Sequence, residues 1–325
     1  MRVPLLDLGE QHRTLAALIR EQVDDVLRTN RFIFGPKVEE FEDAICRYTG
    51  AQFAVGVSSG TDALLAILMA LGIGGGDAVV TTPYSFFATA GCIARVGATP
   101  LFVDIDAETF NLSPRALEQF LQSKCTRTSV DTMCDGKKIR AVMPVHLFGL
   151  CCQMDEIRAV AETYRLAIIE DAAQAIGAEY LSRSGRQQAG TMRNAGFFSF
   201  YPSKNLGAAG DAGLIVTDDE ALAHRLRVCR NHGMEPQYFH QMIGGNFRLD
   251  EIQAAILSVK LPHLDGWSAR RRGVAEVYRE EFTRAGLLEK TVLPSDPFHR
   301  SGLRNTHIYH QYIIRAPNRD ACANI

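Results

Sequence analysis

The alternation running from Phe53 to Glu170 limits what this chain can fold into more than any other feature. Short apolar runs, "FAVGV" (53–57), "AVVTT" (78–82), "PLFVD" (100–104), "IRAVMPV" (139–145) and "LAIIE" (166–170), are separated by segments of helical spacing such as "TDALLAILMALG" (61–72) and "QMDEIRAVAETY" (153–164). Runs apolar on both faces suit strands covered from above and below, and strands alternating with helices need crossover connections. The expectation is an α/β fold with a mostly parallel central sheet between helices. Upstream, Leu15, Leu18, Ile19, Gln22, Val23, Val26 and Leu27 predict an amphipathic helix over 10–29, and Val38, Phe41, Ile45 and Tyr48 a second one. From Leu249 the pattern changes to two long helices, about 249–263 and 267–285, and a strand-like "THIYHQYIIR" (306–315). This predicts a large domain over 1–248 and a smaller α+β domain over 249–325. Residues 122–138, "QSKCTRTSVDTMCDGKK", are polar and unpatterned and predict an exposed loop.

Charge and composition exclude several classes. Thirty-five basic and 37 acidic residues leave a net charge of -2, which offers nothing general to nucleic acid or an anionic membrane. No apolar run approaches the ~18 residues of a bilayer span, and the N-terminal "MRVPLLDLGEQHRTLAAL" carries charges where a signal peptide needs an apolar segment. A cytoplasmic protein is expected. The eight cysteines include no Cys-x-x-Cys pair and no following His-x-x-x-His, so no metal site is expected.

In open parallel sheets, ligands bind at the carboxyl ends of the strands, and three stretches fall there. In "VGVSSGTDALL" (55–65) a strand ends, Ser58-Ser59-Gly60-Thr61 turns, and a helix begins. Free N–H groups and the positive helix end suit an anion such as phosphate, although an ordinary N-cap, with Ser or Thr in the capping role, is the better reading of this stretch taken alone. "GIGGGD" (72–77) has the opposite order, helix then strand, and is a turn. In "LAIIEDAAQAIGA" (166–178), Glu170 and Asp171 close an apolar strand. A carboxylate there either caps a helix or is functional. Asp171 is followed by small residues that leave space and no partner, so a cation is called for, one that a ligand can bring. The third stretch, "GFFSFYPSKNLGAAGDAG" (196–213), sets Lys204 in a turn between aromatic and small residues. Most lysines are solvated surface charges. One partly desolvated in such a cleft has a lowered pKa and becomes a nucleophilic amine.

A phosphate cradle, a carboxylate wanting a cation and a nucleophilic lysine together match pyridoxal 5'-phosphate. Gly60 and Thr61 would anchor the phosphate, with Ser199 donating its hydroxyl. Asp171 would keep the pyridine nitrogen protonated, Phe86 would stack on the ring, and Lys204 would hold the aldehyde as a Schiff base.

Ordered stretches along nearly the whole chain carry a resemblance: "RFIFGPKVEEFE" (31–42), "VSSGTDALLA" (57–66), "GDAVVTTPYSFFATA" (76–90), "VMPVHLFG" (142–149), "IIEDAAQAIGA" (168–178), the lysine stretch, and "IGGNFRLDEIQAAIL" (243–257). The sequence resembles the DegT/StrS nucleotide-sugar aminotransferases, fold-type I pyridoxal-phosphate enzymes. The resemblance implies catalytic roles for Lys204 and Asp171, stacking by Phe86, phosphate contacts from Thr61 and Ser199, and a ring-oxygen contact from Gln174. It implies that Asn246 reaches the phosphate of a partner subunit, hence a homodimer with shared active sites. The substrates implied are an amino donor, glutamate, and a nucleotide-linked keto sugar. His232, Arg248 and His310 receive no assignment. Family members continue past the point where "RDACANI" (319–325) ends this chain, so the small domain is expected to be incomplete and some substrate contacts missing. A sister branch that dehydrates keto sugars carries histidine where Lys204 stands, and the lysine argues against it. A non-catalytic, regulatory dimer is the other alternative; the Lys204–Asp171 pair argues against it and the short C-terminus for it.

Overall fold

The computed structural model describes Pro4 and residues 7–318. The chain opens with two helices, α1 (Gly9–Thr29) and α2 (Pro36–Thr49). Helix α1 stops at Asn30, which takes the left-handed conformation at φ 56°. Proline starts α2, where its missing N–H costs nothing. The N–H groups of Gly35, Lys37 and Val38 are donated to the buried carboxylate of Glu251, far along the chain. The α/β part follows as β1 (Phe53–Val57), α3 (Gly60–Ala70), β2 (Asp77–Thr81), α4 (Phe87–Arg95), β3 (Thr99–Phe102), α5 (Pro114–Lys124), β4 (Thr126–Arg127), β5 (Thr132–Cys134), β6 (Lys137–Val142), α6 (Met154–Tyr164) and β7 (Ala167–Asp171). It continues with β8 (Glu179–Ser182), β9 (Gly185–Gln188), β10 (Ala195–Ser199), β11 (Gly213–Thr217) and α7 (Glu220–Cys229), and the described chain closes with α8 (Glu251–Lys260) and α9 (Leu264–Arg284).

The main sheet runs β1-β11-β10-β7-β6-β2-β3. Strands β10, β7, β6, β2 and β3 are parallel, while β11 is antiparallel to both its neighbours. The five parallel strands therefore end at one edge. Apolar residues fill both faces. Phe41, Ile45, Leu117, Ile157, Leu257 and Leu264 lie in one cluster, and Leu64, Ile67, Ile93, Leu222 and Leu226 in the other. Helix α3 lies against the second face and is buried over most of its surface, which explains its unbroken apolar sequence. Helix α8 packs on α1 and α2, and its Ala254 and Leu257 join the same cluster as Phe41.

Two sequence expectations need correction. Residues 122–138 are not an exposed loop: α5 runs to Lys124, and β4 and β5 form a hairpin that continues into β6. Thr132 is buried and its hydroxyl donates to Tyr164 O, so backbone and side-chain pairing hold a stretch that has little apolar patterning. Nor do residues 306–315 form a strand. They make only isolated bridges, Leu150 with His307 and Val292 with Arg315. Tyr309, at φ 45°, turns the chain, and its ring stacks on His307 at 3.9 Å. Residues 319–325, on which the expectation of an incomplete small domain turns, lie outside the described residues. "GIGGGD" is a turn between α3 and β2, closed by Asp77 N–H on Gly74 O. No helix of the described residues is long and apolar enough to cross a membrane.

Candidate active site

The carboxyl edge of the parallel strands gathers the residues singled out above. Asp171 is the last residue of β7, Ser199 the last of β10, and Gly60 and Thr61 open α3. At the N-terminus of α3, Ser59 caps the helix by accepting the Asp62 N–H at 3.0 Å. The N-cap reading is therefore correct for Ser59, and among the described residues the Thr61 hydroxyl makes no hydrogen bond. Gly60 faces β10 so closely that a Cβ there would lie 2.8 Å from Ser199 Cβ. Only glycine fits between the helix start and that serine.

Asp171 is 5% exposed. Thr89 Oγ1 donates to its Oδ2 at 2.8 Å and the Ala173 N–H to its Oδ1 at 3.2 Å. Among the described residues it makes no ion pair. Burial raises its pKa, against the opposing pull of those hydrogen bonds and of Lys204 and His146. Lys204 sits in a loop whose ends are tied by Phe200 N–H to Ala212 O and Ala208 N–H to Phe200 O. Burial pushes its amine below the ordinary lysine value, and the Asp171 carboxylate resists that shift. The two groups thus sense one another: burial makes each costly to leave charged, and the charge of each offsets part of that cost for the other.

Gln174 spends its side-chain oxygen on the Phe148 N–H at 2.7 Å, which aims its amide N–H groups elsewhere as donors. Phe86 is the N-cap of α4, one turn before Thr89, and is 72% exposed. Asn246 is exposed at the start of an extended segment, its backbone bridged to Asn231 and that of Arg248 to Val57. The Asn246 side chain makes no hydrogen bond among the described residues. Of the unassigned residues, Arg248 donates to Asn231, and His232 takes a left-handed turn at φ 58°.

Sequence reasoning missed three side chains here. Thr89 orients Asp171, and nothing in "FFATAGC" marks it except its position one turn after Phe86. Asn205 follows the lysine. Its Oδ1 lies 3.0 Å from His310 Nδ1, and its amide donates to Ile308 O. His310 was legible only as an unassigned histidine. Burial, then the charges of Lys204 and Arg271, pushes its pKa down to about 3. His310 is therefore neutral, with Nδ1–H donating to Asn205.

The sequence pattern of the DegT/DnrJ/EryC1/StrS aminotransferase family matches residues 14–324. The chain belongs to that family. It is 46% identical to a "Pleiotropic regulatory protein" of Geobacillus stearothermophilus over 98% of this chain and 80% of that one. It is 38% identical to a dTDP-3-amino-3,4,6-trideoxy-alpha-D-glucose transaminase of Streptomyces venezuelae, over 98% of this chain and 77% of the relative. The crystal structure of ntda from Bacillus subtilis, with bound cofactor pmp, superposes with a TM-score of 0.84 at 29% identity, covering 99% of this chain and 68% of its own. The cofactor of this aminotransferase is pyridoxal 5'-phosphate. The edge just described fits it: a glycine-lined cradle closed by Ser199, a buried carboxylate with no ion-pair partner, and a desolvated amine in the loop after β10.

Proposed function

We propose that this aminotransferase moves an amino group from an amino acid, glutamate by family resemblance, to the ketone of a nucleotide-linked sugar, in the cytoplasm and as a homodimer with shared sites. The observation that carries this reading is a buried Lys204 amine and a buried Asp171 carboxylate that influence each other electrostatically, beside the Gly60–Ser199 cradle. The printed activity of the Streptomyces relative, a transaminase of a dTDP-linked amino sugar, supports the substrate class.

When bound, pyridoxal phosphate supplies an electron sink and an aldehyde for covalent attachment. The rest falls to the chain. Backbone N–H groups at the start of α3, with the hydroxyls of Thr61 and Ser199, would hold the phosphate. Asp171, kept in place by Thr89 and the Ala173 N–H, would keep the ring nitrogen protonated. The Gln174 amide would donate to the ring oxygen and Phe86 would cover the ring face. Lys204 would be the residue that anchors the cofactor's aldehyde, and its free amine would serve as the base that moves a proton at the substrate carbon; positioned transfer of this kind typically contributes ~10²–10⁴-fold. A lowered pKa suits that task, because a base must be unprotonated to accept. Asn246 would reach the phosphate held by the partner subunit.

The test is a purified, cofactor-loaded enzyme given glutamate and a panel of nucleotide-linked 3-keto and 4-keto sugars, with the amino sugar and 2-oxoglutarate followed by mass spectrometry. Amination of one of them at a rate far above that of a Lys204→Ala variant is the expected result. A loaded, folded enzyme that aminates none of them, yet aminates a keto compound without a nucleotide, would overturn the substrate class.

A further inference from the structure

The lysine loop is held from outside by α8, the helix that also caps α2. Gln253, in the first turns of α8, pairs with both polar groups of one residue in that loop. Its Oε1 accepts the Ala209 N–H at 3.0 Å and its Nε2 donates to Ala209 O at 3.3 Å. Seven residues on, Lys260 Nζ donates to Gly207 O. Gly207 lies at φ +63°, where a Cβ would strike Pro202 O at 2.5 Å and Lys204 O at 3.0 Å. The chain therefore folds back over the peptide of Lys204 at the point that Lys260 grips.

Lys260 is costly where it stands. It is 1% exposed and, among the described residues, has no carboxylate partner. The Trp267 ring lies 5.9 Å away and itself stacks on His263, and the Lys260 charge also reaches His12 on α1. An apolar side chain of similar length would fill such a site at less cost. Docking of α8 does not need this cation, because Ala254, Leu257 and Leu261 already bury the helix in the main core. What Lys260 adds is the bond to Gly207.

We propose that Gln253 and Lys260 are positioning residues, a two-point cradle through which α8 fixes residues 207–209 and so sets where the Lys204 amine stands. This rests on the reading of Lys204 as the lysine that attaches the cofactor. A displacement of about 1 Å at a reacting group can cost on the order of 10²-fold in rate, so a loop free to shift should show first in turnover, not in fold.

The experiment uses the full-length chain with Gln253→Leu, Lys260→Met, and both together. Ser258→Ala, on the same helix, is the control. Four quantities are measured: kcat and KM for amine transfer by the loaded enzyme, thermal stability, and the pH at which Lys204 becomes reactive toward acetic anhydride in the cofactor-free protein, read by peptide mass spectrometry. The double variant should keep its melting temperature within that of the control or exceed it. Its kcat should fall about tenfold or more with KM for the donor little changed, and the Lys204 midpoint should rise toward that of an ordinary lysine as the loop loosens. A folded double variant with unchanged kcat and an unchanged Lys204 midpoint would overturn the cradle, as would activity lost only in proportion to folded protein. The labelling midpoint needs no cofactor, so it reports on the cradle even if the cofactor is attached to a different lysine.

Discussion

Replacing Asp171 by asparagine separates what this carboxylate does for stability from what it does for chemistry. The change is isosteric, and its surroundings can absorb it. Thr89 Oγ1 now donates to Asp171 Oδ2 at 2.8 Å, and Ser85 Oγ lies 2.8 Å from Thr89 Oγ1 on the other side. In the variant the new amide donates to Thr89, whose hydroxyl turns to donate to Ser85. The Ala173 N–H keeps its oxygen. No polar group is left buried without a partner, so the fold should survive.

Stability should change with pH in a defined direction. Burial, the largest influence on Asp171, raises its pKa above the ordinary 3.8. A raised carboxyl pKa means that the folded state binds more protons than the unfolded one over the window above 3.8. The stability that Asp171 contributes is complete below that pH and is lost as pH rises through the folded pKa. In the cofactor-free protein, asparagine should therefore flatten this part of the pH dependence and leave the variant at least as stable as wild type at pH 7. The loaded enzyme should behave in the opposite way. A hydrogen bond between a carboxylate and a protonated ring nitrogen is worth roughly 1.5–3 kcal/mol, which corresponds to a cofactor held about 10- to 150-fold less tightly. Turnover should fall at least as far, since an amide does not keep that nitrogen protonated. Urea melts of the cofactor-free protein from pH 4 to 8, with cofactor titrations at pH 7, measure both. A variant clearly less stable than wild type at pH 7, or one that binds cofactor and turns over normally, would refute the reasoning.

Gly60→Ala places a methyl 2.8 Å from Ser199 Cβ, and overpacking of this kind typically costs ~1–3 kcal/mol; a lowered melting temperature and weaker cofactor binding are expected, and wild-type values for both would contradict the cradle. Burial lowers the Lys260 pKa to about 8 from 10.5. Its stabilising contribution is complete above 10.5 and lost as pH falls through 8, so wild-type stability should gain on the order of 3 kcal/mol from this group between pH 8 and 10.5; Lys260→Met should lack that rise in pH-dependent melts. If Asn246 serves the partner's cofactor, mixing inactive Lys204→Ala with inactive Asn246→Asp should yield heterodimers with one intact site and recover up to about a quarter of wild-type activity; no recovery after demonstrated subunit exchange would place Asn246 in its own chain's site.

The parts of the fold legible in the sequence were those with one-dimensional signals. The apolar runs at Phe53, Asp77 and Ala167 are buried on both faces, so their composition alone marks them as strands. Lys204 and Asp171 were legible because each is a charge set among residues that offer it no partner. The hairpin at 126–134 was hidden because its order comes from pairing with β6 and from Thr132 reaching Tyr164, contacts that leave no apolar period behind. The run at 306–315 looked like a strand because β-branched and aromatic residues dominate it, but His307 and Tyr309 stack on each other and Tyr309 turns the chain. Thr89 and Gln253 were invisible for a related reason. Each acts on a residue dozens of positions away, and spacing along the chain carries no trace of such a contact.

The most direct measurement reduces the loaded enzyme with borohydride and maps the pyridoxyl adduct by peptide mass spectrometry. The expected result is one adduct, on Lys204, and its loss in Lys204→Ala while the protein remains folded. An adduct on any other lysine of the wild-type enzyme would contradict the assignment of the active site.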